Sequence, residues 1–199
     1  MIPAGFSPQE YLALERQAVT RHEYRRGLVY AMAGSTTPNH NRIALNLTTQ
    51  LSLHLSESCQ FFSSDIKVNY DEDFYYYPDV FVTCDSRNDN DLATKCHPNF
   101  IVEVLSKSTQ QFDRKDKFED YKLINTLKEY VLISQDKMQV ERFCLQPDGS
   151  WQSTVFGRSD RAIFTSIGIE IAVLDFTKAL AFDEKRKMPI CACLVIIDY

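Results

Sequence analysis

The sequence is poor in glycine and lacks the motifs of several common enzyme classes. Only six of the 199 residues are glycine, and none of them belongs to a Gly-rich phosphate loop or to a Gly-x-Ser-x-Gly elbow. These absences argue against P-loop nucleotide chemistry and against ester hydrolysis. The longest apolar run, Met188 to Ile197, is interrupted by Pro189. It is too short to span a bilayer, and we expect no membrane partner.

Positive charge is also scarce. The formal net charge is −5, which argues against a protein that holds nucleic acid by bulk electrostatics. It does not exclude a local basic face, because arginines cluster at Arg21, Arg25 and Arg26 and further basic residues recur between Lys107 and Lys122. The alternative is that these are ordinary solvated charges.

The cysteines are without the spacing of a metal or disulfide framework. No Cys-x-x-Cys pair occurs among the six, and no histidine pattern accompanies them. The first residues also lack a basic region followed by an apolar core, so we expect no secretory signal. Together these features predict free thiols and a cytoplasmic location. The cysteines are Cys59, Cys84, Cys96, Cys144, Cys191 and Cys193.

Apolar spacing predicts one α/β or α+β domain, in which helices flank a central mixed sheet. Ser7-Pro8-Gln9-Glu10 has the form of a capping box, so a short helix that buries Tyr11, Leu12 and Leu14 should follow. A hairpin is expected from Tyr24 to Met32, and longer helices over about 41–55 and 114–127. Strands are predicted at 60–63, 66–70, 74–83, 99–105, 130–134, 139–145, 151–156 and 167–173. The domain should span residues 1–177. The tail, 178–199, could be an added edge strand, an oligomer contact or a segment foreign to the fold.

Two carboxylates stand inside apolar runs that should form strands. Asp79 lies in Tyr-Tyr-Pro-Asp-Val-Phe-Val and Glu103 in Phe-Ile-Val-Glu-Val-Leu-Ser, where a charge is costly unless it is paired or binds a cation. If the two strands pair, the side chains lie roughly 5 Å apart at Cβ. One Mg²⁺ ion could then bridge the two carboxylates, and the backbone carbonyl of Val104 could supply a further oxygen.

A lysine follows on the next predicted helix. Lys117, Tyr121 and Ile124 share one helical stripe, so the ammonium should point inward, where it could orient and help deprotonate the attacking water or neutralise charge on a phosphate. The alternative is a lysine with a packed stem and a solvated head. The acids upstream favour the functional interpretation.

Three further residues are weaker candidates. Glu23 could complete the acidic cluster as a metal ligand, although periodicity alone indicates a solvated charge. His40 could contact a phosphate, but a surface His40 beside a capping Asn39 or Asn41 is the simpler interpretation. Asp113 could cap the helix or position the ammonium of Lys117 from one turn away.

These residues resemble the bacterial Uma-type family of restriction endonucleases, in the PD-(D/E)xK nuclease superfamily. The resemblance implies a restriction-endonuclease-like core, a divalent metal held by Asp79 and Glu103, and a catalytic Lys117. Where the superfamily usually has its lysine, two residues after the Glu, this chain has Leu105. The segments that carry the resemblance are Tyr11-Leu12, Glu23-Tyr24, Gly27, His40, Pro78-Asp79, Glu103-Val104-Leu105-Ser106, Ser108-Thr109, Asp113, Lys117, Tyr121 and Glu129-Tyr130-Val131-Leu132.

The resulting expectation is a DNA endonuclease that uses Mg²⁺, with Mn²⁺ as a substitute, and that acts as a homodimer. Asp79, Glu103 and Lys117 would carry the chemistry, supported by Asp113, Tyr121 and His40. One alternative is a protein on the same fold that binds nucleic acid or a partner but does not cut. Another is a hydrolase of a different phosphate-bearing substrate.

Overall fold

Helices and groups of consecutive strands follow one another along the described part of the chain, residues 5–32, 37–88 and 94–178 of the computed structural model. The helices are α1 (Pro8–Glu15), α2 (Pro38–His54), α3 (Gln110–Arg114), α4 (Asp116–Tyr121) and α5 (Val173–Phe176). The strands are β1 (His22–Arg25), β2 (Leu28–Ala31), β3 (Gln60–Ser63), β4 (Lys67–Tyr70), β5 (Phe74–Tyr76), β6 (Val80–Thr83), β7 (Thr94–Lys95), β8 (Phe100–Leu105), β9 (Glu129–Ser134), β10 (Gln139–Leu145), β11 (Trp151–Gly157), β12 (Arg161–Phe164) and β13 (Ile169–Ala172).

The strands form two large sheets and one hairpin. The larger sheet has six strands in the order β11-β10-β9-β8-β6-β3, and the second has five in the order β2-β1-β5-β4-β7. Strands β8 and β9 pair in parallel, whereas β6 and β8 pair antiparallel. The predicted mixed sheet with flanking helices is therefore confirmed.

The central strands of the six-stranded sheet, β6, β8 and β9, are buried on both faces. Side chains alternate between faces along each strand, so Val80 and Val82 pack on one side with Leu47 of α2 and with the β12–β13 hairpin. Phe81 points to the other side and packs against α4. This explains why β6 and β8 read as nearly continuous apolar runs.

The N-terminal predictions are largely confirmed. Ser7 accepts a hydrogen bond from the Glu10 N–H and completes the capping box. Tyr11 is buried as predicted, but Leu12 and Leu14 are only partly buried. Helix α2 begins three residues earlier than expected, because Thr37 caps it and Pro38 occupies its first turn. The expected cap at Asn39 or Asn41 is wrong.

The predicted strand over residues 74–83 is two strands in different sheets. Pro78 lies between β5 and β6, and since proline has no N–H it cannot continue a ladder. The helix predicted over 114–127 exists as α4 but is shorter than expected. Helices α3 and α4 are separated at Lys115, whose φ and ψ are −119° and −84°, and turns follow Tyr121. Strand β12 was not predicted.

Two cysteines correct the expectation of thiols throughout. Gln60 faces Thr83 in the β3–β6 register, so Cys59 and Cys84 are the next opposed pair and form a disulfide. Cys96 and Cys144 are thiols, as predicted. Cys191, Cys193 and the predicted tail beyond Lys178 lie outside the described residues. Within the described ranges, no helix is long and apolar enough to cross a membrane.

Glu129 fastens the β12–β13 hairpin to the sheet, and its removal should destabilise the fold. Its fully buried carboxylate accepts hydrogen bonds from the N–H and hydroxyl groups of both Thr165 and Ser166, at 2.6–3.1 Å. Glu129→Ala leaves these donors unsatisfied, and we expect the free energy of unfolding to fall by about 3 kcal/mol. Urea titration followed by circular dichroism measures it. The exposed Glu119→Ala is the control and should change it little; equal losses would contradict the anchoring role.

Candidate active site

Asp79 and Glu103 lie opposite each other, just beyond the last residue pair of the β6–β8 ladder. Val80 pairs with Val102 in the antiparallel register, which places Asp79 opposite Glu103. The Asp79 N–H lies 3.4 Å from Glu103 Oε2, and Asp79 Oδ2 accepts a hydrogen bond of 2.7 Å from the Val104 N–H. The structure therefore brings together the two carboxylates that the sequence singled out, and the sheet backbone fixes both.

The ammonium of Lys117 lies between the acids. Its Nζ is 3.0 Å from Glu103 Oε1 and 3.0 Å from Glu23 Oε1, and 4.0 Å from Asp113 Oδ1. Only 6 % of the Lys117 side chain is exposed, so the alternative of a packed stem with a solvated head is wrong. Tyr121, on the same stripe, donates to Glu103 Oε1 at 3.2 Å.

Burial and charge shift the proton equilibria of this cluster. Burial raises the pKa of Glu103, the charge of Lys117 lowers it, and the neighbouring acids raise it again, so that it lies well above its ordinary value. Burial lowers the pKa of Lys117, but the charges of Glu103, Glu23 and Asp113 outweigh this and raise it. Lys117 therefore stays an ammonium, which makes it an electrostatic or positioning group and a poor proton acceptor.

Glu23 is less exposed than its sequence pattern indicated. Its Oε1 accepts a 3.0 Å hydrogen bond from the Tyr77 N–H as well as contacting Lys117, and only 12 % of its side chain is exposed. The solvated-charge interpretation is wrong because β1 lies beside β5 in the sheet. A metal-ligand role for Glu23 stays a prediction.

His40 and Asp113 are also inside the cluster. His40 Nε2 is 3.1 Å from Asp79 Oδ2, so the surface interpretation is wrong. Burial opposes protonation of His40, but the hydrogen bond to Asp79 and the charges of Asp79 and Asp113 raise its pKa. Asp113 lies in α3 and does not cap α4, whose N-terminus has no side-chain cap. Its proximity to Lys117 matches the positioning alternative.

All these groups line one cleft of about 510 Å³. Among its described lining residues, Glu23, Asp79, Glu103 and Asp113 are acidic, whereas only Lys117 and His40 are basic. No three His, Cys, Asp or Glu side chains in the described ranges form a ready metal shell. The donor set of Asp79, Glu103 and the Val104 carbonyl nevertheless consists of hard oxygens in an excess of negative charge, which fits Mg²⁺ or Mn²⁺.

Sequence reasoning missed a second tie between β1 and α4. Arg25 stands two residues after Glu23, and its Nε donates to Asp120 Oδ2 at 2.6 Å. The Tyr76 hydroxyl donates to the same oxygen at 2.6 Å. The Arg25–Asp120 pair thus runs beside the Glu23–Lys117 pair and holds the same two elements together. The sequence shows that Arg25 lies two residues after Glu23 and that Asp120 lies three residues after Lys117. It does not show that Arg25 and Asp120 pair.

Removing the Lys117 charge should destabilise the protein in a pH-dependent way. In metal-free buffer at pH 7, Lys117→Met leaves buried acids without their cation, and we expect a loss of roughly 3 kcal/mol in the free energy of unfolding. A raised pKa means that folding favours protonated Glu103. The contribution of Glu103 to the free energy of unfolding is therefore fully present below the ordinary glutamate pKa. It is lost as the pH rises through the raised pKa of the folded state.

The variant should accordingly regain stability between pH 7 and pH 5, which urea titrations at both values measure. Lys122→Met is the matched control, because Lys122 pairs with Glu119 at the surface. A Lys117→Met protein as stable as wild type at pH 7 would contradict the burial of the ion pairs.

Comparison with known proteins places the chain in a family. The Uma2 family model, described as "Putative restriction endonuclease", matches residues 8–173. Two uncharacterized proteins of Synechocystis sp. strain PCC 6803 are each 36 % identical to the chain. Slr1290 aligns over 178 residues, which cover 88 % of this chain and 93 % of that protein. Sll1609 aligns over 149 residues, which cover 73 % and 84 %.

A solved structure shares the fold. The crystal structure of "a putative nuclease belonging to DUF820" from Anabaena variabilis ATCC 29413 superposes with a TM-score of 0.69 at 16 % identity. The match covers 86 % of this chain and 97 % of that one. The family model matches most of this chain, and the acids and the lysine lie in one cleft. The chain belongs to the Uma2 family.

Proposed function

We propose that the protein is a divalent-metal-dependent endonuclease that hydrolyses phosphodiester bonds of DNA. The observation that carries the proposal is the convergence of Asp79, Glu103 and Lys117 in one cleft. Membership of the Uma2 family supports the same reaction class.

The metal would be held by oxygens that the fold already places together. Asp79, Glu103 and the Val104 carbonyl are the ligands we propose, and a Mg²⁺ ion bound there would lower the pKa of its water and offset charge on the phosphate. Asp79 is fixed by the Val104 N–H, and Glu103 by Tyr121. These hydrogen bonds orient the carboxylates before any cation binds.

Lys117 supplies positive charge at the same place. Because it stays protonated, it can donate hydrogen bonds to the attacking water or to a phosphate oxygen, and stabilise the negative charge that develops there. Glu23 and Asp113 keep the ammonium charged and aimed into the cleft. The assembly we propose is a homodimer, which would bring two such cleavage centres together.

Asp79→Asn should abolish metal-dependent cleavage. The substitution keeps an oxygen that can accept from the Val104 N–H but removes the charge that a cation needs, so we expect the rate of plasmid cleavage in Mg²⁺ to fall at least about a hundredfold. Chelation of Mg²⁺ should do the same to the wild type. Asp85→Asn, in which the changed acid pairs with Arg87 at the far end of β6, should keep its activity. Equal cleavage with Mg²⁺ and with chelator would sink the metal mechanism.

Lys117→Met should separate metal binding from catalysis. We expect cleavage to fall by two orders of magnitude or more, because the variant lacks the charge that stabilises the transition state. Mn²⁺ binding, measured by electron paramagnetic resonance at a temperature where the variant is folded, should persist, since the proposed ligands remain. Lys122→Met serves as the control. Unchanged cleavage by Lys117→Met would remove the lysine from the mechanism, and absence of cleavage by any form would favour a binding protein that does not cut.

A further inference from the structure

One wall of the cleft is aromatic and takes no part in the proposed chemistry. Tyr30 of β2 and Phe112 of α3 both line the cleft, with ring centroids 6.3 Å apart and planes inclined by 41°. Tyr30 pairs with Glu23 across the β1–β2 ladder, so the two side chains lie on the same face of the sheet. The aromatic wall therefore begins directly beside the Glu23–Lys117 ion pair.

The two rings differ in how they are held. Phe112 packs edge-on against Tyr76 at 6.0 Å, and the Arg25 guanidinium lies 5.9 Å from its centroid. Phe112 thus packs against Arg25 and Tyr76, which both donate hydrogen bonds to Asp120. Tyr30 stands at the edge strand of its sheet with 43 % of its surface exposed. Both side chains line the cleft, so they are in reach of whatever occupies it.

The charges of the cleft do not favour binding through phosphates alone. Nucleic-acid affinity of that kind requires several lysines or arginines at the backbone. Among the described lining residues, the two basic groups, Lys117 and His40, already face the carboxylates of Glu23, Glu103 and Asp79. Affinity must then come largely from another source, and aromatic faces beside a phosphate-cleaving centre are suited to stack bases.

We propose that Tyr30 and Phe112 form a stacking surface for an unpaired base of the strand being cut, so that the substrate is single-stranded or locally unpaired nucleic acid. In a duplex both faces of a base are covered by its neighbours, so a base can stack on these rings only when it has left the helix. This proposal rests on the proposed function, because the stacked base must adjoin the phosphate at Asp79, Glu103 and Lys117.

Binding to oligonucleotides with and without bases tests the proposal. Fluorescence anisotropy in Ca²⁺ buffer compares a labelled thymidine strand, a strand of the same length with a run of abasic sites, and a duplex. The abasic strand keeps every phosphate but offers no ring to stack. We expect the wild type to bind the thymidine strand roughly five- to 150-fold more tightly than the abasic strand, the range for one stacked base, and more tightly than the duplex.

Two substitutions of Tyr30 and one control sharpen the test. Tyr30→Ala should bring the ratio of the two affinities towards one, and Tyr30→Phe should keep it. Phe6→Ala is the matched control, since Phe6 is similarly exposed at 45 % and does not line the cleft. Circular dichroism verifies folding of each variant. Equal affinity of the wild type for strands with and without bases, tighter binding of the duplex, an unchanged ratio in Tyr30→Ala, or no binding to any probe would each overturn the proposal.

The outcome can be separated from that of the proposed function. Cleavage of DNA by a wild-type protein that ignores the abasic change would remove the stacking surface and leave the nuclease. A protein that prefers strands with bases but cuts nothing in Mg²⁺ would keep the stacking surface and remove the catalysis.

Discussion

The buried ammonium of Lys117 is the interaction on which the site depends. It joins Glu23 of the five-stranded sheet to Glu103 of the six-stranded sheet, and it does so from a helix that packs on the second of these sheets. Each partner would be costly to bury alone, since an unpaired charge loses its hydration without compensation. The cluster is stable only as a set, which couples the chemistry of the cleft to the packing of three separate segments.

The junction between the two sheets makes this convergence possible. Because Pro78 interrupts the ladder, the chain leaves one sheet at Tyr76 and enters the other at Val80. The intervening backbone is then available to the site: the Tyr77 N–H donates to Glu23, and the Asp79 N–H lies 3.4 Å from Glu103 Oε2. A continuous strand would have used these positions for sheet hydrogen bonds. The proline that broke the predicted strand is therefore part of the construction of the cleft.

The position of the lysine follows from the same packing. Leu105, two residues after Glu103, packs in the apolar cluster that includes Phe118 and Tyr121 of α4. Lys117 instead reaches the carboxylates from the first turn of α4, and Arg25 and Asp120 hold that helix against β1. Among the described residues, four acids and two basic groups line the cleft, which gives an excess of acidic groups. Burial, together with the charges of the neighbouring acids, raises the pKa of Glu103. A bound cation would offset that excess of acidic groups. The stacking surface that we propose at the aromatic wall would supply affinity for nucleic acid that the few basic groups do not.

The sequence by itself determined most of the elements and the central pair. Continuous apolar runs indicated β6 and β8, the capping box indicated α1, and helical spacing placed Lys117 on an inward stripe, because all these are local patterns. Only the tertiary structure decided that Glu23 and His40 join the cluster, that Arg25 meets Asp120, and that Cys59 bonds to Cys84. Those partners lie far apart along the chain, and neither charge nor periodicity states which distant residue a side chain will meet. The register of the strands and the packing of helices and sheets supply that information, since burial leaves each charge only the partners within reach.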